Sequence, residues 1–369
     1  MDRRSFLKTS AIGGSAAAAS ATLAAPAYAQ GNRTLTMVTT WGRGLAGVHD
    51  SAQRVADSIT AMTDGALTVD LKAAGELVGA FEVFDAVTAG QADMYHGADY
   101  YFTGQHPGYA YFTAVPFGMT PQELTNWYYH GDGHALHDEL GQIFGLKSFI
   151  GGNTGPQAGG WYNKEINSPE DFKGLSMRIS GLGAKVLNKL GASTQLVPGS
   201  EIYLALERGR VDATEFSVPQ VDQAMGFNEV AKYYYFPGWH QSASWFSLLI
   251  NQQVWDSYSD QRKAQFQTAC RATLQWAMAE APPAQVRAIH ELEAKGVEVK
   301  RFPEPVMTAL QKAWGEVLEE EKQTNPDFAK AYDSLMKHAA LIDEWYELQA
   351  MPQPMAMKQA GDAEEGSAQ

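Results

Sequence analysis

Hydrophobic and polar positions alternate over residues 34–40, the two-residue period of a half-buried strand. From His49 the period lengthens. Val55, Ile59 and Met62 recur at helical spacing, and Asp64-Gly65 closes the segment. Residues 67–71 read as a second strand, 81–88 as a helix stopped by Ala89-Gly90-Gln91, and 93–96 as the start of a third strand. The rhythm resumes after 147–151, with strand 174–179, helix 184–190, strand 194–197, helix 203–208 and strand 212–216. Such alternation implies mostly parallel sheets with helices on both faces. Roughly 340 residues exceed what one core usually supports, so two α/β lobes meeting at a cleft are expected.

Towards the carboxyl end, Ser259 suits the N-cap of a long amphipathic helix marked by Phe266, Ala269, Cys270, Leu274 and Met278. Pro282-Pro283 is expected to break it. A strand follows at 297–302, then helix to about residue 349. The tail 350–369 reads as disordered. At the other end, Arg3-Arg4 and Lys8 precede a weakly apolar Gly/Ala/Ser stretch that closes on Ala27-Tyr28-Ala29. Residues 1–30 therefore read as a twin-arginine signal peptide, exporting the rest to the periplasm.

Charge narrows the partners. Without residues 1–30, 25 basic residues face 41 acidic ones, a formal charge of −16. That field repels phosphate backbones, so no nucleic-acid partner is expected, and any bound anion must meet a local cation. The single cysteine, Cys270, excludes an internal disulfide and a zinc–cysteine cluster, and its helical neighbours mark it as a buried small hydrophobe.

Two motifs compete for chemistry and are weak. Gly42-Arg43-Gly44-Leu45-Ala46-Gly47 matches the dinucleotide fingerprint after a strand, with Asp70 further on. Its spacing to Asp70 exceeds the usual one of about 20, and Arg43 is bulky; an exported NAD(P)-dependent oxidoreductase using 42–47 stays as the alternative. His130, His134 and His137 have metal-face spacing, but Gly131 and Gly133 interrupt the helix that would carry them. No G-x-S-x-G elbow or H-E-x-x-H pair appears.

The stretch 151–241 is more informative. Arg178 is a lone arginine in an apolar strand, and a guanidinium there needs an anion, either a guest carboxylate or a structural acid. Asp212-Ala213-Thr214-Glu215-Phe216 ends a strand with an acid where an α/β lobe opens its cleft.

In these segments the chain resembles the solute-binding subunits of tripartite ATP-independent periplasmic (TRAP) transporters, in the branch that binds 2-oxo and 2-hydroxy acids with a metal ion. The resemblance covers 33–345. It rests on Ala74-Gly75-Glu76-Leu77-Val78, Ala114-Val115-Pro116-Phe117, Gly151-Gly152-Asn153-Thr154-Gly155, Gln157-Ala158-Gly159-Gly160-Trp161, Gly174-Leu175-Ser176-Met177-Arg178, Asp212-Ala213-Thr214-Glu215 and Tyr233-Tyr234-Tyr235-Phe236-Pro237-Gly238-Trp239.

The resemblance implies the two-lobed periplasmic binding protein fold, with a long lobe-spanning helix and closure on a small organic acid. Lobe I would hold 31–152 and about 242–282; lobe II would hold 153–241, about 283–349 and the C-terminal helices. It implies no enzyme and no organic cofactor, and TRAP membrane subunits as partners. Arg178 would clamp the ligand carboxylate, Gln157 would touch ligand and metal, Glu215 would bind the metal, and Phe216 would give a carbonyl and an aromatic wall. Tyr101 would reach in from the opposite lobe, with Tyr100 and Trp245 as further walls and Asn153 as a polar contact. Gln241 stands where this branch often has a second acid. Arg178, Glu215 and a monocarboxylate together carry one negative charge, which a monovalent cation neutralises; a sodium-like ion is therefore expected over calcium. The run 335–348, with Leu341, Ile342, Trp345 and Tyr346, suits either core or a homodimer through the C-terminal helices.

Overall fold

The computed structural model describes residues 32–350. The signal-peptide reading and the tail beyond residue 350 lie outside the described residues.

The first lobe begins with β1 (Arg33–Thr39), α1 (His49–Met62), β2 (Leu67–Lys72), α2 (Val83–Thr88) and β3 (Met94–Gly97). A 3-10 turn at Asp99–Phe102, α3 (Pro121–His130), α4 (Gly133–Gln142) and β4 (Leu146–Asn153) follow. The second lobe runs through β5 (Gly160–Tyr162), β6 (Ser176–Arg178), α5 (Gly181–Lys189), β7 (Ser193–Gln195), α6 (Gly199–Glu207), β8 (Ala213–Thr214), α7 (Pro219–Ala224) and β9 (Tyr233–Phe236). The chain returns with β10 (Trp245–Asn251) and α8 (Gln252–Asp256). It ends in α9 (Asp260–Ala294), β11 (Glu298–Arg301), α10 (Glu304–Thr324) and α11 (Pro326–Gln349).

Two sheets result, ordered β2-β1-β3-β10-β4 and β11-β9-β5-β8-β6-β7. The βαβ repeats give parallel pairs β1–β2, β1–β3, β6–β7 and β6–β8. The strands that carry the chain between lobes pair antiparallel: β10 with β3 and β4, and β5 with β8 and β9. Each sheet is thus mixed, more so than the expected parallel arrangement, because β10 in the first and β5 in the second had no separate place in the βαβ reading.

The segments 154–159 and 237–244 cross between the lobes and bond to each other. Thr154 N donates to Ser244 O (3.2 Å) and Gln157 N to Gln241 O (3.0 Å). Gly238 makes this approach sterically possible, since a Cβ there would lie 2.2 Å from the Gln157 carbonyl oxygen.

Ser259 caps α9 as expected, accepting from Arg262 N. The expected break at Pro282-Pro283 does not occur, and the helix runs 35 residues with both prolines inside. Proline removes the bonds to the carbonyls of Met278 and Ala279, and with Ala279, Pro282 and Pro283 exposed the prolines sit on the solvent side of the helix, where their loss is tolerated best. The helix packs on β4 and α1 of the first lobe and on α7 of the second. Of the two C-terminal helices, α10 packs on α5, whereas α11 lies against α3 and α4 of the first lobe. Among the described residues, no helix is long and apolar enough to cross a membrane.

Candidate functional site

Arg178 ends β6 beside β8, in register with Thr214, and the chain leaves β8 at Glu215, whose side chain turns to meet the guanidinium. Arg178 is fully buried. Its Nη1 donates to the Glu215 carbonyl (2.6 Å) and to Glu215 Oε1 (2.8 Å), and its Nε donates to Val197 O (3.2 Å). The ring of Phe216 lies 5.4 Å from the guanidinium carbon. Glu215 Oε1 also accepts from Ser180 N (2.8 Å) and Ser180 Oγ (2.9 Å). Burial alone would raise the Glu215 carboxyl, but the Arg178 guanidinium, His240 and the Ser180 N–H outweigh it and hold it at about 2.

Arg178 therefore does meet an acid of its own chain, yet the pair is incomplete at both ends. Arg178 Nη2 and Glu215 Oε2 are buried without a hydrogen-bond partner. His240 Nε2 stands 3.5 Å from Oε2 but lacks hydrogen-bond geometry.

The remaining expected residues gather on the crossings and the facing lobe. Gln157 Nε2 donates to Ser244 Oγ (3.1 Å), leaving Oε1 buried and unpaired. Gln241 Nε2 donates to Tyr100 Oη (3.3 Å), and its Oε1 is likewise unpaired. Asn153, at the end of β4, accepts from Gly155 N and leaves Nδ2 unpaired. Tyr100 and Tyr101 sit edge to face at 4.8 Å on the 3-10 turn, with Tyr101 also against Phe81 (5.0 Å). Burial raises both phenol pKa values, and the Arg178 charge pulls them down, placing both tyrosines in its field.

The orphaned atoms sort by chemistry. Glu215 Oε2, Gln157 Oε1 and Gln241 Oε1 are oxygen acceptors, one charged and two neutral, a set that fits a hard cation. Arg178 Nη2 and Asn153 Nδ2 are donors, fitting a carboxylate or carbonyl oxygen. Unpartnered buried atoms occur elsewhere among the described residues too, so what distinguishes these five is that they fall on the expected site residues and pair acceptors for a cation with donors for an anion.

One expectation fails, at Trp245. Trp245 is core, stacked on Trp127 (6.4 Å) and edge-on to Tyr128 (5.3 Å). The three histidines separate: His130 is exposed at the end of α3, His134 Nε2 meets Ser148 O, and His137 is buried beside Asp99 and Tyr128. Arg43 folds across its glycine loop to Glu76 and Leu71 O. Burial pushes the Cys270 thiol up to about 12. Sequence reasoning missed Ser180 and His240. The two-residue period from Arg178 pointed to Ser180 on the same face; nothing local pointed to His240.

Residues 41–324 match the model of the bacterial extracellular solute-binding proteins, family 7 (DctP). The chain belongs to that family. It is 35% identical to the monocarboxylate 2-oxoacid-binding periplasmic protein of Nostoc sp., over 94% of this chain and 96% of the relative. A TRAP solute-binding protein of Pseudoalteromonas atlantica with bound sodium and pyruvate superposes with TM-score 0.82 at 34% identity, covering 92% of this chain and all of that one. One from Colwellia psychrerythraea with bound calcium and pyruvate gives 0.82 at 36%, covering 86% and 97%. One from Bordetella bronchiseptica, a dimer with calcium and picolinate, gives 0.83 at 31%, covering 91% and 97%. The fold is that of the two-lobed TRAP solute-binding proteins, a transport family whose members are periplasmic, and the oxidoreductase reading of 42–47 finds no support among these relatives.

Proposed function

We propose that this chain captures a small 2-oxo or 2-hydroxy monocarboxylate of the pyruvate kind together with a cation, closes its lobes over both, and delivers them to TRAP membrane subunits. The reading rests on one observation above all: the complementary set of buried, unpartnered donors and acceptors at Arg178, Asn153, Glu215, Gln157 and Gln241. In it Arg178 Nη2 takes the ligand carboxylate, and the cation lies among Glu215 Oε2, Gln157 Oε1, Gln241 Oε1 and the Phe216 carbonyl. Such an ion supplies positive charge beside the 2-oxygen of the acid. Tyr100 and Tyr101 close from the first lobe, and no bond of the ligand is broken.

Sodium is favoured over calcium on charge. The buried Arg178–Glu215 pair is neutral, so a monocarboxylate and a monovalent ion leave no net charge in the closed cleft, whereas calcium leaves one. Relatives with sodium and with calcium both support an ion here. The same proposal includes export of the chain by residues 1–30 through the twin-arginine route, and self-association through α11. On that helix Leu341, Trp345 and Leu348 are exposed at i, i+4 and i+7.

The deciding experiment is calorimetric titration of the metal-stripped protein with pyruvate, in sodium, in choline and in calcium. Tight binding in sodium, weak binding in choline and no advantage in calcium are expected. Equal affinity in sodium and choline would remove the ion from the reading, and no binding of any 2-oxo or 2-hydroxy acid would remove the function.

A further inference from the structure

Behind Glu215 and Phe216 lies a second buried carboxylate, Asp222 on α7, only 1% exposed. Three donors converge on it: Ser217 N at 3.0 Å on Oδ1, and Trp161 Nε1 at 3.0 Å and Tyr234 Oη at 2.8 Å on Oδ2. Trp161 and Tyr234 are stacked at 4.0 Å on neighbouring strands β5 and β9, so Oδ2 is clamped by a rigid pair. Ser217 is fixed from the other side as well, its carbonyl accepting from Ala158 N (3.1 Å) on the crossing that carries Gln157. Residues 215–217 leave the two-residue strand β8 with little ladder to hold them.

We propose that Asp222 is a positioning residue: by anchoring Ser217 N to the Trp161–Tyr234 pair, it locks the turn that presents the Glu215 side chain and the Phe216 carbonyl to the cleft. It touches neither ligand nor ion and acts through the backbone that does. The proposal rests on the reading of Glu215 and Phe216 as ion contacts.

The surroundings favour an acceptor with two oxygens. All three neighbours offer hydrogens, which an ionised carboxylate satisfies at once. Burial opposes that charge and pushes Asp222 up to about 7 against the three hydrogen bonds, with the like charge of Glu215 adding to the push. The ionisable groups around it are Glu215 and Tyr234; α9, packed on the same helix, turns Gln285 and Glu291 to Gln220 and Gln223 instead.

The test compares wild type with Asp222→Asn and Asp222→Ala in the full chain. Amide hydrogen exchange at 215–217 is followed without ligand, and pyruvate affinity is followed across sodium concentrations. Losing a charge-assisted bond to Ser217 N should speed its exchange about tenfold in Asp222→Ala, with less change in Asp222→Asn, which keeps one oxygen acceptor. The sodium concentration for half-maximal pyruvate binding should rise in the same order. Unchanged exchange at Ser217 in both variants overturns the proposal. So does faster exchange with unaltered sodium and pyruvate affinity, which would leave Asp222 a merely structural residue. If Asp222→Ala does not fold, Asp222→Asn decides by the same two readouts. Wild type that ignores pyruvate in sodium refutes the functional reading instead, and the Ser217 exchange rates then decide for or against the lock on their own.

Discussion

The two lobes bring different chemistry to the cleft. The second lobe supplies its formal charges, Arg178 and Glu215, and fixes them before any ligand arrives, through the Val197 carbonyl, the Glu215 carbonyl, Ser180 N and Ser180 Oγ. The first lobe supplies phenols, Tyr100 and Tyr101, on a short 3-10 turn. The difference suits an order of events. A charged group surrenders much more solvation on burial than a hydroxyl, so charge belongs on the preorganised half and neutral groups on the half that closes. Ligand and ion would first meet the second lobe, and the first would seal a site already near neutrality.

The largest effect expected from breaking this asymmetry is at Arg178. Arg178→Ala removes the proposed carboxylate clamp, a loss of about 4 kcal/mol or close to a thousandfold in pyruvate affinity. Arg178→Lys keeps the charge but cannot reach Val197 O, Glu215 and a guest together, and should recover only part of it. Calorimetry that finds Arg178→Ala binding pyruvate like wild type removes the second lobe's primacy.

Glu215→Gln comes next, at roughly a hundredfold in sodium, and its sharper signature is qualitative. With Glu215 neutral, Arg178 and a monocarboxylate already cancel, so the sodium dependence of binding should vanish. The same residue sets an acid response. Its carboxyl is held at about 2, below the ordinary value of 4.5, so the stability its ionised form contributes is complete above about 4.5 and is lost as pH falls from there towards 2. Denaturant titrations of wild type and Glu215→Gln should run parallel between pH 5 and 8. They should converge below pH 4.5, because only wild type loses this contribution.

On the first lobe the expected losses are smaller. Tyr101→Phe deletes one neutral hydroxyl while keeping the ring against Tyr100 and Phe81, which predicts about a tenfold weaker complex in the same titration. A loss as large as that of Arg178→Ala would mean that the lobes share the recognition evenly.

What the sequence made legible follows the same divide. The βα repeats, the cap at Ser259 and the lone arginine in an apolar strand are local signals, and each found its place in the structure. The incompleteness of the Arg178–Glu215 pair was not legible, because it depends on which guanidinium nitrogen faces which oxygen across two strands. Trp245 misled for a related reason: an aromatic on a central strand has two faces to choose from, and Trp127 with Tyr128 settled the choice. The uninterrupted α9 was hidden because prolines end helices where the freed carbonyls lack water, and exposure at 279–283 is a tertiary property.

The smallest effect belongs where the lobes touch. Gly181 opens α5 at φ +63°, and a Cβ there would stand 3.1 Å from Tyr100 Cδ1, a ring held in place by Tyr101 and Gln241. Gly181→Ala therefore makes two separable changes. The left-handed backbone strains open and closed forms alike and should lower unfolding stability by about 1 kcal/mol without touching affinity. The crowding of Tyr100 arises only on closure, and a few tenths of an ångström of adjustment predicts about a threefold weaker pyruvate complex. Thermal unfolding without ligand reads the first change, and calorimetry reads the second. If stability falls and affinity stays at the wild-type value, the first lobe has slack at this contact, and its phenols act on the guest without being braced by the second lobe.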